Sequence, residues 1–158
     1  MIYDDINKFA QVLNPFRALA GLDLGTKTIG VSVSDHLATV ATPLETIKRT
    51  KFTADAERLI EICQGRDIVG LVLGLPRNMD GSEGPRSQST RAFARNLSTK
   101  IYLPITFWDE RLSTVAAKKA LLEADTTRKR RSEVIDHVAA AYILQGALDR
   151  LRYLKTNE

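Results

Sequence analysis

The chain is poor in the residues that carry redox and zinc chemistry. Its one cysteine, Cys63, excludes an internal disulfide and fits a reducing compartment. Cys63 shares a helical stripe with Ala56, Leu59 and Ile60 and reads as core packing. The two histidines, His36 and His137, have no metal-site spacing to the cysteine or to each other, so no zinc site is expected. His36 follows Asp35 in a turn and is expected to be exposed. Aromatics are only 6% of residues, which leaves few platforms for stacking single-stranded bases. No apolar run approaches the length of a membrane span, and the acidic start, Asp4 and Asp5, does not read as a signal peptide. What is present is ordinary: 158 residues, 44% hydrophobic and 27% charged, enough for one domain with its own core. The net charge of +4 leans mildly toward anionic partners.

Residues 1–16 read as an N-terminal extension, with a helix from Asp4 to Leu13, and 17–158 as a single domain. Strand patterns follow at Arg17–Leu24, Thr28–Ser34 and Val40–Ile47, the second alternating Ile29, Val31 and Val33 with Gly30, Ser32 and Ser34. Thr53–Gln64 has helical spacing and stops at Gly65. Ile68–Leu75 is a continuous apolar run of the kind buried inside parallel sheets. A polar, turn-rich loop from Pro76 to Pro85 leads to a helix over Ser87–Ser98, then a strand over Ile101–Trp108. Trp108 is expected in the core rather than on a stacking surface. Ser113 is placed to cap a helix over Thr114–Ala124, and Ser132 to cap a last helix over Glu133–Leu151 after a solvated stretch, Asp125–Arg131. This order predicts an α/β fold, a mixed sheet of about five strands flanked by helices. The first hairpin supplies antiparallel pairing and the later crossovers supply parallel pairing.

Asp23 interrupts an apolar strand, and a carboxylate there is expensive to bury unless it is paired, hydrogen-bonded or bound to a metal. Glu110 lies just past another strand, and ligands of open α/β sheets gather at the carboxyl ends of strands. Asp136, in the last helix, also has a structural explanation, since an acid at a helix start complements the helix dipole. Together the three make an all-oxygen donor set suited to Mg²⁺ or Mn²⁺. Two such ions can activate a water and stabilise the leaving oxygen of a phosphodiester, which requires several converging carboxylates. Asp109 directly precedes Glu110, points to the opposite face if the strand continues, and is expected either to support the ion-holding acids from behind or to be structural. Lys27, Arg77, Asn78, Arg86 and Arg111 offer phosphate contacts. The run Arg128, Lys129, Arg130 and Arg131 fits either a solvated loop or a nucleic-acid contact.

Four segments, Gly21–Val31, Gly74–Gly81, Trp108–Thr114 and Asp136–Leu144, together resemble the YqgF/RuvX family, in the family's order. The resemblance implies a ribonuclease H-like fold related to the RuvC Holliday junction resolvases. It also implies a cytoplasmic bacterial nuclease linked to 5′-end processing of the precursor of 16S ribosomal RNA, a step of ribosome biogenesis, with magnesium or manganese as cofactor. Its partner would be structured RNA, including pre-ribosomal particles, with a four-way DNA junction as the alternative substrate. By position the family's acidic residues fall on Asp23, Glu110 and Asp136. RuvC-type enzymes carry a fourth acid near the third, whereas three residues after Asp136 this chain has Ala139. Two readings of other classes compete. A noncatalytic RNA or ribosome-assembly module would keep the fold without the chemistry. An actin- or hexokinase-like ATPase would need a second such domain, and this chain supplies one.

Overall fold

Two apolar runs are joined by the tight turn Gly25–Lys27, Gly25 N–H donating to the Thr28 carbonyl at 2.8 Å. A computed structural model of the chain describes residues 1–14, 17–112 and 128–156, for 128–136 and 156 the backbone alone. Strand β1 is Ile2–Tyr3, β2 Ala18–Leu24, β3 Thr28–Ser34, β4 Ala41–Lys48, β5 Ile68–Leu75 and β6 Ile105–Asp109. The helices are α1 Ile6–Val12, α2 Phe52–Gly65, α3 Pro85–Ser98 and α4 Arg128–Thr156, with a 3-10 turn over Glu110–Leu112. The six strands lie in the order β1-β6-β5-β2-β3-β4. Pairing is antiparallel from β2 through β4 and parallel across β2, β5, β6 and β1. This is the mixed α/β sheet that the sequence predicts, widened by one strand.

The strand alternation divides the core. Leu22, Val31, Leu71, Leu73 and Ile105 face α2 and α3, with Leu59, Phe93 and Leu97. Cys63 is in this layer, and burial pushes its thiol up to about 12. The other face is covered by α4, whose Ala139, Ile143, Leu144 and Leu148 pack with Leu19 and Val72. Small residues let α4 come close. A side chain at Gly21 would meet Ser32 Oγ at 2.6 Å, Leu144 Cβ at 2.7 Å and the Ala140 carbonyl at 2.9 Å. The Ser32 hydroxyl donates to that carbonyl at 2.7 Å. Because two of these contacts are the helix's own backbone and Cβ, Gly21→Ala is expected to lower stability by about 1–3 kcal/mol through overpacking. The check is thermal unfolding, at about 2–4 °C per kcal/mol for a chain of this size.

The N-terminal segment is built into the fold rather than appended to it. Ile2 and Tyr3 pair with Ile105 and Thr106, and Phe9 is fully buried on the α4 face, over Gly70. A two-residue strand has no periodicity to read, which is why the sequence does not announce it. Helix α1 starts two residues into the predicted span, with the Asp5 carboxylate accepting from Asn7 N–H at 2.9 Å. Pro104 and the turn after α3 delay β6 to Ile105, and Pro85 starts α3 two residues early. The last helix differs most. It begins at Arg128, so the basic run is its first turn rather than a loop, and Ser132 lies inside it rather than capping it. Lys and Arg are good helix formers, and a basic run does not stop a helix. The expected helix over Thr114–Ala124 and its cap Ser113 lie outside the described residues.

Candidate active site

The carboxyl ends of β2, β5 and β6 form one edge, and strand register decides what meets there. Leu22 pairs with Leu73, so the next residues, Asp23 and Gly74, are side by side with the same orientation, toward α4. Asp23 is 6% exposed. Gly74 in turn pairs with Trp108 of β6, and two residues later the chain turns at Glu110. The Glu110 carboxylate fills the space that Gly74 leaves. Its Oε1 lies 2.7 Å from where a Cβ on residue 74 would be, and Ile143 Cδ1, which shares that space, lies nearer still. The β-strand that bears Asp23 is thus the immediate neighbour of the strand over which the Glu110 carboxylate lies.

Helix α4 brings position 136 toward the same edge. The helix runs antiparallel to β2. Its Gln145 accepts from Ala41 N–H at 2.8 Å, while His137 Nδ1 and Thr46 Oγ1, farther along β4, are hydrogen-bonded at 3.0 Å. Residue 136 is one turn before Ala140, whose carbonyl is held over Ser32 and Gly21, and Gly21 is two residues before Asp23. The Asp136 side chain lies outside the described residues, so among the described residues two acids, Asp23 and Glu110, lie on the α4 side of the edge. Both offer hard oxygen donors, and the space over Gly74 is kept open for one of them. The donor chemistry therefore fits Mg²⁺ or Mn²⁺.

A family model described as RuvX, Holliday junction resolvase, matches residues 17–150. The chain belongs to the RuvX family. It is 75% identical over 154 residues to a protein of Ruegeria pomeroyi named "Putative pre-16S rRNA nuclease", covering 98% of this chain and 100% of that one. A protein of Paracoccus denitrificans with the same name is 71% identical over 158 residues, covering both chains completely. Among solved structures, Thermus thermophilus RuvC superposes with a TM-score of 0.51 at 15% identity, over 89% of this chain and 96% of that one. Thermus thermophilus RuvC in complex with a Holliday junction substrate gives 0.51 at 14%, over 85% and 95%. The RuvC likeness establishes the ribonuclease H-like fold.

The basic candidates of this RuvX chain are distributed unevenly. Lys27 is exposed on the Gly25–Lys27 turn beside the acidic edge. Arg111 is engaged by Asp109, its Nη2 donating at 2.7 Å and its Nε at 3.1 Å, and its Nη1 reaches the Met79 carbonyl at 3.3 Å. Asp109 is held below the usual carboxylate range by the Arg111 guanidinium. Its depressed value means the pair contributes at neutral pH and is lost as acid protonates Asp109. Arg111→Ala is expected to return the Asp109 midpoint toward the ordinary range, read by carboxyl NMR titration. Arg77 lies 3.7 Å from Glu83, which Arg91 also grips with two bonds. Asn78 and Asp80 both bond to Ser82, at 3.0 Å and 2.6 Å, and so shape the loop. Gly81, at φ +90°, lets that loop turn against Arg111. The side chains of Arg128, Lys129, Arg130 and Arg131 lie outside the described residues.

His36 is exposed, as expected. Trp108 is half-buried, packed edge-on against Gly146, with Nε1 enclosed. Sequence reasoning overlooked Gly74 and the Gly21–Ser32 pair. The available signal was a glycine inside each apolar strand, which marks close approach of another group.

Proposed function

We propose that this chain is a divalent-metal-dependent endonuclease that hydrolyses phosphodiester bonds in the cytoplasm, acting in 5′-end maturation of precursor 16S ribosomal RNA. The observation that carries the reading is the seat of the Glu110 carboxylate in the space vacated by Gly74, beside the buried Asp23. Asp23, Glu110 and Asp136 would hold Mg²⁺ or Mn²⁺. When bound, such ions activate an attacking water and neutralise charge on the leaving oxygen. The chain's own residues do the rest. Strand β2 fixes Asp23 rigidly, Gly74 and Ile143 define the position of Glu110, and Ser32 clamps α4 so that residue 136 keeps its distance from the edge. Lys27 on the adjoining turn supplies positive charge where a phosphate backbone would approach.

The substrate follows the names of the full-length relatives, which are those of a pre-16S rRNA nuclease. The family description favours a second reading, a four-way DNA junction, with the same metal chemistry. The deciding experiment incubates purified protein with Mg²⁺ or Mn²⁺ and either precursor 16S RNA or a four-way DNA junction. Cleavage of the RNA alone supports the first reading, and cleavage of the junction alone supports the second. Binding of RNA without any cleavage would replace both by a noncatalytic assembly module.

A further inference from the structure

Beyond the acidic edge, on the opposite face of the sheet, a groove of about 650 Å³ opens between α3 and the connection from β4 to α2. Its floor is the end of β2 and the turn that follows, Leu24, Gly25 and Thr26. Gly25 and Thr26 come two and three residues after Asp23, so groove and acidic edge share one rim. Arg49 and Arg86 stand on its walls with Ser89 and Asn96, and no carboxylate is among its lining residues.

Several arginines of this surface are held by acids. Arg58 is paired with Glu45 and Glu61, Arg91 with Glu83 and Asp4, Arg77 with Glu83, and Arg111 with Asp109. Among the described residues, Arg49 and Arg86 form no ion pair. Arg49 is instead fixed in place by neutral partners. Its Nη1 donates to the Gly25 carbonyl at 2.6 Å, and its guanidinium lies 5.5 Å from the centre of the Phe93 ring. A guanidinium has five donors, so one bond to Gly25 leaves others for a ligand. The acids nearest in sequence are engaged elsewhere, Glu45 by Arg58 and Glu83 by Arg77 and Arg91, while Asp55 is 3% exposed and accepts from Thr50 N–H at 3.2 Å. The groove is thus a built cationic channel with hydroxyl and amide donors, leading from the rim of the acidic edge.

We propose that this groove binds the phosphodiester backbone of the substrate strand where it leaves the acidic edge, passing over the Gly25–Lys27 turn between Arg49 and Arg86. The proposal rests on the nuclease reading for the direction of the strand, but its test needs no cleavage. Arg86 and Ser89 are exposed on α3, so Arg86→Glu and Ser89→Glu leave the core intact. Arg95→Glu, exposed on the same helix but outside the groove, is the control for net charge. Fluorescence anisotropy in metal-free buffer then measures binding of RNA and DNA strands of one sequence. R86E and S89E are expected to weaken binding tenfold or more, and R95E less than threefold. Arg86→Ala should reduce the salt slope of a single strand by about 0.7. Losses on both strands identify the phosphate as the shared ligand, and a loss on RNA alone assigns the site to RNA. If R86E weakens binding no more than R95E does, the groove is not a binding cleft. A wild-type protein that binds through the groove yet cuts nothing would overturn the nuclease reading and leave the groove standing.

Discussion

Asp23→Asn is expected to abolish metal-dependent cleavage, lowering the rate at least about a thousandfold, while leaving the fold intact. A thousandfold corresponds to about 4 kcal/mol of transition-state stabilisation. The substitution is nearly isosteric, and residue 23 is locked between its β3 partner Gly30 and β5, so the side chain has no room to drift. A neutral amide in a 6% exposed position is cheaper to bury than a carboxylate, so the variant should unfold at the same temperature or higher in metal-free buffer. Stability and function part company at such sites. Added Mn²⁺ should raise the unfolding temperature of the wild type through binding linkage and raise that of the variant less. The measurements are single-turnover cleavage and thermal scans with and without metal. Cleavage retained by the variant would remove Asp23 from the reaction.

Gly74→Ala should be nearly as damaging to activity and far milder to stability. The added methyl would press first on Ile143 Cδ1 and then on Glu110 Oε1, which lies 2.7 Å away, and both atoms are side-chain ends rather than backbone. Residue 74 has no positive φ, so alanine adopts its backbone conformation. We expect a stability change within about 1 kcal/mol, since the stiffer unfolded chain offsets the repacking. Activity should fall about a hundredfold, the scale associated with a 1 Å misplacement of a catalytic group. Ile143→Val added to Gly74→Ala separates the two effects. It relieves the contact with residue 143 and restores any lost stability, but it leaves Glu110 displaced and the enzyme slow. Recovery of full activity in the double variant would show that Ile143, not Glu110, is what Gly74 protects.

The parts of the molecule that were legible in the sequence are those with a period. The β2–β3 hairpin, β5 and α2 were found within a residue or two because alternation and helical spacing repeat several times in each. Asp23 stood out because a charge in such a run violates the pattern. The unseen parts depend on single contacts between distant residues. Two residues of β1 carry no period. The fit of Glu110 over Gly74 joins positions 36 residues apart, and the Ser32–Ala140 bond joins positions 108 apart. A basic run could equally be a loop or the first turn of a helix, and only the fold chose. Nothing in the sequence singles out Arg49; the bond to Gly25 places it on the wall of a groove.

Helix α4 is registered on the sheet at Ala140, Ile143 and Leu144, and residue 136 hangs one turn ahead of that anchor. An α-helix advances about 100° for every residue. Deleting or inserting one amino acid between 136 and 140 would therefore swing the third acid a quarter-turn or more around the cylinder while the anchor stayed put. The number of residues in that stretch is thus as constrained as their kind.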